Sequence, residues 1–332
     1  MKIIWRGFAA AAVAALAGGG AYAQTYTVFT VNGNPTSAAA INIAGSVTGL
    51  YDVATVPNGP LIAHGYVRAS DGTITTFDPT NSTGTHPSSI NDSGVVTGWF
   101  TTDAAQSKAY GFVRSASGTI TKFAPTGVTV TFPYSINNNG LITGTCKCAG
   151  GSFERGAKGG IKLLSLGNYV MFAAAINPQG VIVGSLEDPN SAYIGFERSP
   201  KGNTGTISGT VGVTAINASG VITGEVGVAG SGPLGFVRVP KGPVVSFTPP
   251  GSTYTAPAAI NSAGTVAGYF LDASQYTHGF SRDAAGNITV FDSPTLGLPY
   301  TYITGINSGG VMCGSSDEAH SSWSPRNRAS VQ

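Results

Sequence analysis

Short apolar runs alternate with turn-forming residues along the chain, and one pattern recurs, Ile-Asn-x-x-Gly-x-x-x-Gly. It occurs seven times at spacings of 40–49 residues, beginning at Ile41, Ile90, Ile136, Ile176, Ile216, Ile260 and Ile306. In this pattern Gly follows Asn after two intervening residues, between two apolar runs. This indicates a tight turn, because Asn hydrogen-bonds to nearby backbone and Gly accepts positive φ. Each copy therefore predicts one strand that ends at the Ile and another that begins after the first Gly.

Two positions of this pattern are predicted to be structural. The Asn residues are expected to shape the turns, and they are Asn42, Asn91, Asn137, Asn177, Asn217, Asn261 and Asn307. The second Gly lies inside a predicted strand, where Gly weakens pairing unless another group approaches closely. We expect an aromatic side chain to lie over each of these glycines. They are Gly49, Gly98, Gly144, Gly184, Gly224, Gly268 and Gly314.

Two further β-type runs follow the pattern in each of the first six repeats, as in Gly111-Phe112-Val113-Arg114 and Gly118-Thr119-Ile120-Thr121-Lys122-Phe123. Each of these repeats thus predicts four short strands separated by turns. Four strands in each unit of about 40–50 residues are typical of a propeller blade. The predicted fold class is all-β, a seven-bladed β-propeller of four-stranded blades.

The two ends of the chain predict how the ring closes. Residues 25–31 look like a fourth strand without its blade, since Phe29 lies 12 residues before Ile41 and Phe77 lies 13 before Ile90. The seventh repeat offers a third strand at residues 320–324 and no fourth. We therefore expect residues 26–31 to pair with residues 320–324, because an open ring would expose unpaired strand edges.

The N-terminus predicts a secretory signal peptide. Lys2 and Arg6 precede an Ala-rich run that ends near Leu16, and Ala21-Tyr22-Ala23 is a small-residue cleavage site. The run is short for a membrane span, and no later stretch is long and apolar enough. The predicted organisation is a signal peptide at 1–23, cleaved after Ala23, and one propeller domain at 24–332, in the periplasm or outside the cell.

The net charge of the mature chain limits the classes of binding partner that are expected. Of 17 basic residues, removal of Lys2 and Arg6 leaves 15, against 15 acidic residues. A formally neutral mature chain argues against nucleic acids and anionic membrane surfaces. The expected partner is a glycan or a protein, and the chain is expected to be a monomer.

The three cysteines are Cys146, Cys148 and Cys313. Export permits disulfides, yet Cys146 and Cys148 are too close in sequence for a relaxed bridge to be expected. We expect none of the three to be functional; a strained, redox-active Cys146–Cys148 bridge is the alternative.

The repeats resemble the extracellular HAF repeats of exported bacterial proteins. The His-small-aromatic signature of that family is matched by His64-Gly65-Tyr66 and His278-Gly279-Phe280. The chain departs from it by having Gly where the family name has Ala, and by having Tyr110, Ile194 and Leu234 in place of His. The resemblance covers essentially the whole mature chain. It implies export and a repeat fold, and it supplies no catalytic residues.

Carboxylates concentrate in the loops between the second and third strands of the predicted blades. Because equivalent loops share one face of a propeller, they predict an acidic rim, interpreted either as solvation or as a site for a cation or a polar ligand. Oxygen ligands suit Ca²⁺, although no loop has a compact Ca²⁺ motif; no other cofactor is expected. The candidate ligand-binding residues are Asp52, Asp103, Asp188, Asp272 and Asp317.

Histidine and arginine positions are interpreted as structural. His64, His278 and His320 share a repeat position that Ile and Leu also fill, so we expect a hydrogen bond to an Asp in the preceding loop rather than catalysis. The repeated arginines are expected to close a strand or stack on an aromatic ring. They are Arg68, Arg114, Arg155, Arg198, Arg238 and Arg282.

The chain contains neither a Gly-x-Ser-x-Gly elbow nor a His-Glu-x-x-His motif, and no catalytic residue is assigned. The preferred function is an exported, non-enzymatic binding or scaffold module. One alternative is a hydrolase or lyase that acts on a polysaccharide or small molecule at the channel mouth. Another is a structural component of an extracellular matrix or surface layer. Fold alone does not decide among them.

Overall fold

The computed structural model describes residues 10–15, 25–57, 59–293 and 300–316. Over these residues the chain forms 28 β-strands arranged in seven four-stranded sheets, with antiparallel pairing throughout each sheet. The prediction of an all-β propeller is confirmed. No helix within the described ranges is long and apolar enough to cross a membrane.

Six of the sheets are regular blades, each formed by four consecutive strands. Blade by blade, these strands are β3–β6 (Thr36–Ile41, Val47–Ala54, Leu61–Arg68, Ile74–Phe77), β7–β10 (Gly84–Ile90, Val96–Thr101, Ala109–Arg114, Ile120–Phe123), β11–β14 (Thr131–Ile136, Ile142–Cys146, Ser152–Arg155, Ile161–Leu164), β15–β18 (Val170–Ile176, Ile182–Glu187, Tyr193–Arg198, Thr204–Ile207), β19–β22 (Thr210–Ile216, Ile222–Val226, Leu234–Arg238, Val245–Phe247) and β23–β26 (Tyr254–Ile260, Val266–Leu271, Thr277–Arg282, Ile288–Phe291).

The remaining sheet combines both ends of the described chain. Its order is β2 (Thr25–Phe29), β1 (Ala10–Ala15), β28 (Val311–Ser316) and β27 (Thr301–Ile306). The prediction of seven like blades is therefore wrong: six are regular, and the seventh repeat supplies only two strands to a composite sheet. The predicted closure is also wrong, because Thr25–Phe29 pairs with Ala10–Ala15. Residues 320–324, its predicted partner, lie outside the described residues.

The reason for this difference is the open edge of β28. Ala10–Ala15 pairs with Val311–Ser316 on one side and with Thr25–Phe29 on the other, so both edges gain hydrogen-bonded neighbours. An unpaired strand edge in water is open to unwanted pairing. The Ala-rich segment at 10–15 supplies the backbone hydrogen-bond partners for this edge. This strand lies inside the segment that has the features of a signal peptide.

The turn prediction is confirmed in all seven repeats. The first Gly of each pattern has φ between 75° and 81°, at Gly45, Gly94, Gly140, Gly180, Gly220, Gly264 and Gly310. In each turn the Asn Oδ1 accepts a hydrogen bond from the backbone N–H four residues later, at 2.9–3.0 Å. The side chain thus holds its own turn together.

The same Asn side chains also form a ring that local sequence does not reveal. The first strands of neighbouring sheets contact one another, which places them around the central axis. Each Asn Nδ2 donates to the backbone oxygen of the Asn in the next sheet, at 2.8–3.3 Å, and Asn307 donates back to Asn42. All seven are 3–6% exposed, so this inner ring is continuous and buried.

The second Gly of each pattern faces a bulge in the first strand. In every sheet the pairing register shifts by one residue opposite this glycine, as between Pro87 and Ser89 opposite Gly98. A Cβ on Gly98 would lie against the His86 carbonyl oxygen and 2.7 Å from Pro87 Cα. Phe112 Cε1 would be 2.9 Å away, so the expected aromatic is present but the bulged backbone is the closer constraint.

Aromatic rings join neighbouring sheets. A phenylalanine of a fourth strand packs edge-on against the third-strand aromatic of the next sheet, with ring centroids 5.7–6.0 Å apart, in the pairs Phe29–Tyr66, Phe77–Phe112, Phe123–Phe153 and Phe247–Phe280. Arg68, Arg114, Arg155 and Arg282 lie 4.9–5.2 Å from these same phenylalanine rings. The expected arginine stacking is confirmed for these four, and Phe29 occupies a fourth-strand position as predicted.

Candidate binding face

The connections between second and third strands lie at one edge of the equivalent sheets. Asp52 lies near the end of β4, and Asp103, Asp188 and Asp272 lie in the turns after β8, β16 and β24. Because these sheets share one strand order, the four carboxylates belong to the same face of the ring, here called the binding face. Asp317, the fifth predicted rim residue, lies outside the described residues.

Three of these carboxylates hold their own turns. Asp103 accepts hydrogen bonds from the N–H and Oγ of Ser107, both at 2.7 Å. Those bonds lower the pKa of the Asp103 carboxyl. Asp188 and Asp272 accept backbone N–H groups two and four residues later, at 2.8–2.9 Å. A role in binding Ca²⁺ or another ligand stays a prediction; the described residues contain no cluster of three metal-binding side chains.

Half-buried aromatic side chains also lie on the binding face, on the first or second strand of a sheet. Five sheets carry one at the register position next to the bulge: Trp99, Phe132, Phe172, Tyr269 and Tyr302. We call these five residues the aromatic arc. Sequence reasoning missed them, although an aromatic directly after the second Gly, as in Gly98-Trp99 and Gly268-Tyr269, was a usable signal.

The arc crosses between sheets. Trp99 meets Phe132 of the next sheet edge-on, with centroids 5.0 Å apart, and Tyr269 meets Tyr302 in the same way at 5.1 Å. Glu225 lies at the corresponding position of the sheet between Phe172 and Tyr269, and it accepts a hydrogen bond from Tyr254 Oη at 3.1 Å. The inner edge of the binding face therefore combines flat apolar rings with a carboxylate and phenol hydroxyls.

His86 extends the arc at one end. Its ring stacks on Trp99 with centroids 3.8 Å apart and planes 13° from parallel. Burial lowers the pKa of His86 from 6.5 to about 4, because a charged imidazolium loses hydration there. The neutral ring is thus the form that packs against the indole.

We expect His86 to make stability depend on pH between about 4 and 6.5. Between these two pH values the imidazole of His86 is protonated in the unfolded state and neutral in the folded state. The free energy of unfolding therefore rises with pH. The loss on acidification begins near pH 6.5 and is complete below about pH 4. Melting temperatures of the wild type and His86→Gln, compared from pH 7.5 to 4.5, should diverge as His86→Gln loses less. Parallel curves would contradict this expectation.

A cavity opens beside the arc between the third and fourth blades. It has a volume of about 430 Å³, and its lining includes Phe172, Glu187, Lys147, Cys146 and Cys148. These cysteines form a disulfide with Cα atoms 5.2 Å apart, a separation that suits a bridge. The bridge, given in the sequence analysis only as the alternative, is therefore present, and its redox activity stays a prediction. Cys313 is free and buried, and burial raises the pKa of its thiol to about 12.

The expected contact between a histidine and an aspartate is present at His64 and His278, but the expected preceding loop supplies the aspartate only at His278. His64 Nδ1 lies 2.7 Å from Asp78, and His278 Nδ1 lies 2.8 Å from Asp292. These aspartates follow the histidines in sequence rather than precede them; only Asp272, 3.5 Å from His278 Nε2, comes from the preceding loop. His278 thus has a carboxylate at each ring nitrogen, which suits a structural role. His320 lies outside the described residues.

Comparison with solved structures agrees with this geometry. Virginiamycin B lyase from Staphylococcus aureus is 14% identical, with a TM-score of 0.55 over 85% of this chain and 95% of that one. The propeller domain of the Trilobed protease from Pyrococcus furiosus, described as having an open velcro topology, is 11% identical, with a TM-score of 0.57 over 82% and 86%. The chain is a β-propeller. At these identities the likeness extends to the fold alone. No family model and no curated protein sequence matches the chain.

Proposed function

We propose that the protein is an exported binding module whose ligand is a glycan, held at the binding face. The observation that carries this proposal is the aromatic arc. Partly exposed rings offer flat apolar surfaces, and the hydroxyl of Tyr254 and the carboxylate of Glu225 lie beside them. A sugar ring has a C–H face and a polar rim, so it matches a site of apolar walls with a few polar groups.

The export part of this proposal rests on the N-terminal features and on the disulfide. Lys2, Arg6 and Ala21-Tyr22-Ala23 support a signal peptide cleaved after Ala23. A Cys146–Cys148 bridge belongs in an oxidising compartment. We further propose that the mature chain is a monomeric, HAF-type repeat protein, which the continuous ring of repeated Asn side chains supports. Ca²⁺ binding at the acidic rim is a subsidiary proposal, tested by the effect of a chelator on melting.

The binding proposal is tested by titrating the exported protein with neutral oligosaccharides of glucose, mannose, xylose and N-acetylglucosamine. We expect Trp99→Ala to weaken the binding that calorimetry detects by roughly tenfold or more, since an aromatic ring that the ligand covers on binding contributes much of the affinity. Trp99→Phe should retain most of the affinity. Tyr269→Ala tests the other end of the arc.

The matched control for these variants is Thr121→Ala, on the outer strand β10 and away from the axis. It should bind as the wild type does, and all variants should be compared at temperatures where they are folded. Absence of binding to any of the oligosaccharides would overturn the proposal. So would equal affinity for the wild type and both arc variants.

An enzyme remains the second candidate because of the cavity beside the arc. Glu187 and Lys147 both line it, which brings a carboxylate and an ammonium to one opening. Chromatography of the titration mixtures distinguishes the two functions: a hydrolase or lyase releases shortened sugars, whereas a binding module returns the oligosaccharide intact. A structural matrix protein would instead show concentration-dependent self-association.

A further inference from the structure

The aromatic arc has a break in the fifth blade. At the register position next to the bulge, the fourth and sixth blades carry Phe172 and Tyr269. The fifth blade instead pairs Glu225 with Gly212 at this position. Glu225 is half-buried, so its carboxylate has lost part of its hydration at the inner edge of the binding face. A carboxylate in such a place gains most from a ligand group that is itself charged, because charge-assisted hydrogen bonds are the strong ones.

Two hydroxyl groups from neighbouring blades lie beside Glu225. Tyr254 Oη of the sixth blade donates a hydrogen bond to Glu225 at 3.1 Å. Ser185 of the fourth blade approaches from the other side, because a Cβ built on Gly212 would lie 2.6 Å from Ser185 Oγ. Directly paired residues hold their Cβ positions about 4.5–5.5 Å apart on one side of the sheet, so the Ser185 hydroxyl lies next to the Glu225 position. We call Glu225, Tyr254 and Ser185 the polar notch.

The charges of the described residues are divided between the two faces of the ring, which the net charge conceals. Dividing every strand at its midpoint places five carboxylates in the half opposite the binding face, against ten basic residues: Arg68, Arg114, Arg155, Lys158, Lys162, Arg198, Lys201, Arg238, Lys241 and Arg282. The half at the binding face has three lysines (Lys108, Lys122 and Lys147) against eight carboxylates: Asp52, Asp78, Asp103, Glu187, Asp188, Glu225, Asp272 and Asp292. The binding face is therefore negative and favours the approach of a cationic ligand.

We propose that the glycan at the binding face is a polymer of an amino sugar, with the ammonium group of one unit in the polar notch and the adjoining sugar rings on the aromatic arc. This inference rests on the proposed glycan function and names the class of sugar. An ammonium group has three N–H donors and a full charge, and the notch offers a carboxylate and two hydroxyl oxygens as acceptors. The faces of the aromatic rings also attract a cation. An acetylated amine is uncharged and keeps one N–H, so it fits the notch less well.

Two ligands that differ only at the amine test this inference. β-1,4-Linked oligomers of glucosamine and of N-acetylglucosamine, of equal length, are titrated into the protein in a calorimeter at about pH 6, above the ordinary pKa of a glutamate. The glucosamine oligomer should bind roughly tenfold more tightly, as expected from one charge-assisted hydrogen bond. Added salt should weaken the binding of the glucosamine oligomer, because salt screens the attraction between charges. The affinity for the acetylated oligomer should change little.

Variants of Glu225 assign the preference to the notch. Glu225→Gln should bind both oligomers with nearly equal affinity, because the amide keeps the shape and loses the charge. Glu225→Asp keeps the charge on a shorter side chain and should retain part of the preference. The matched control is Glu154→Gln on the third strand of the third blade, which removes the same charge in the opposite half and should leave the preference unchanged. Melting curves establish that each variant is folded at the temperature of the titration.

The outcomes separate this inference from the glycan proposal. Equal affinity of the wild type for the two oligomers would overturn the amino-sugar inference and leave the glycan proposal in place. A preference that survives in Glu225→Gln would overturn it as well. Binding of neither oligomer and of none of the neutral oligosaccharides would overturn both proposals. Spermidine, a linear polyamine without a sugar ring, should not displace the glucosamine oligomer at equal concentration; displacement would show that charge alone suffices and would overturn the choice of a sugar.

Discussion

Replacing Gly98 with Val should destabilise the protein by about 3 kcal/mol or more, because overpacking here meets backbone rather than a movable side chain. The new Cβ would lie 2.7 Å from Pro87 Cα and against the carbonyl oxygen of His86. Both residues are held in the bulged first strand by pairing with β8. The backbone can relax only by breaking that pairing. Chemical denaturation of the wild type and the variant measures the difference.

The matched control is Gly205→Val on the outer strand β18. No heavy atom lies within 4 Å of a Cβ built at Gly205, and we expect a change within about 0.5 kcal/mol, as for an ordinary surface site. Gly224→Val and Gly268→Val, at equivalent bulges, should behave as Gly98→Val does. Equal stability of the bulge variants and the control would show that the second Gly is not a packing position.

Replacing Asn137 with Asp should cost roughly 3–5 kcal/mol at neutral pH, the range for a buried charge left without its partner. Asn137 is 5% exposed. Its Oδ1 accepts the Leu141 N–H at 2.9 Å, and its Nδ2 donates to the Asn177 carbonyl at 2.8 Å. In the variant the carboxylate can still accept the hydrogen bond from the Leu141 N–H. Its other oxygen cannot donate to the Asn177 carbonyl, and the two oxygens repel each other instead. The ring would thereby be broken at one junction.

The penalty should diminish on acidification. Burial beside a carbonyl raises the pKa of the new carboxyl above its unfolded value of about 3.9, so the folded state binds more protons in this range. Stability therefore falls as pH rises from about 4 through the folded pKa. Melting of Asn137→Asp at pH 4 and pH 7 measures this effect. The exposed Asn203→Asp variant serves as the control and should show little change at pH 7.

Much of the fold follows from local sequence. The turn at Asn91 and Gly94 needs only an amide side chain and a residue that accepts positive φ, and both are visible in nine residues. The assignment of Phe29 to a fourth strand needs only its spacing from Ile41. These features are determined by neighbours along the chain, because turn geometry and strand alternation act over a few residues. The same short-range reasoning assigned the acidic residues to the loops between the second and third strands of the blades.

Other features exist only because distant residues meet. Asn137 binds Asn177 across 40 residues, and Trp99 meets Phe132 only because two sheets lie side by side. Each depends on the curvature of the ring, which no single repeat contains. The bridge between Cys146 and Cys148 depends on the local path of the chain after β12. The partner of β28 is likewise a tertiary property, because Ala10–Ala15 pairs with Val311–Ser316 from the opposite end of the described chain. The sequence by itself determined the repeat, its turns and its strands; the ring decided which of their side chains meet.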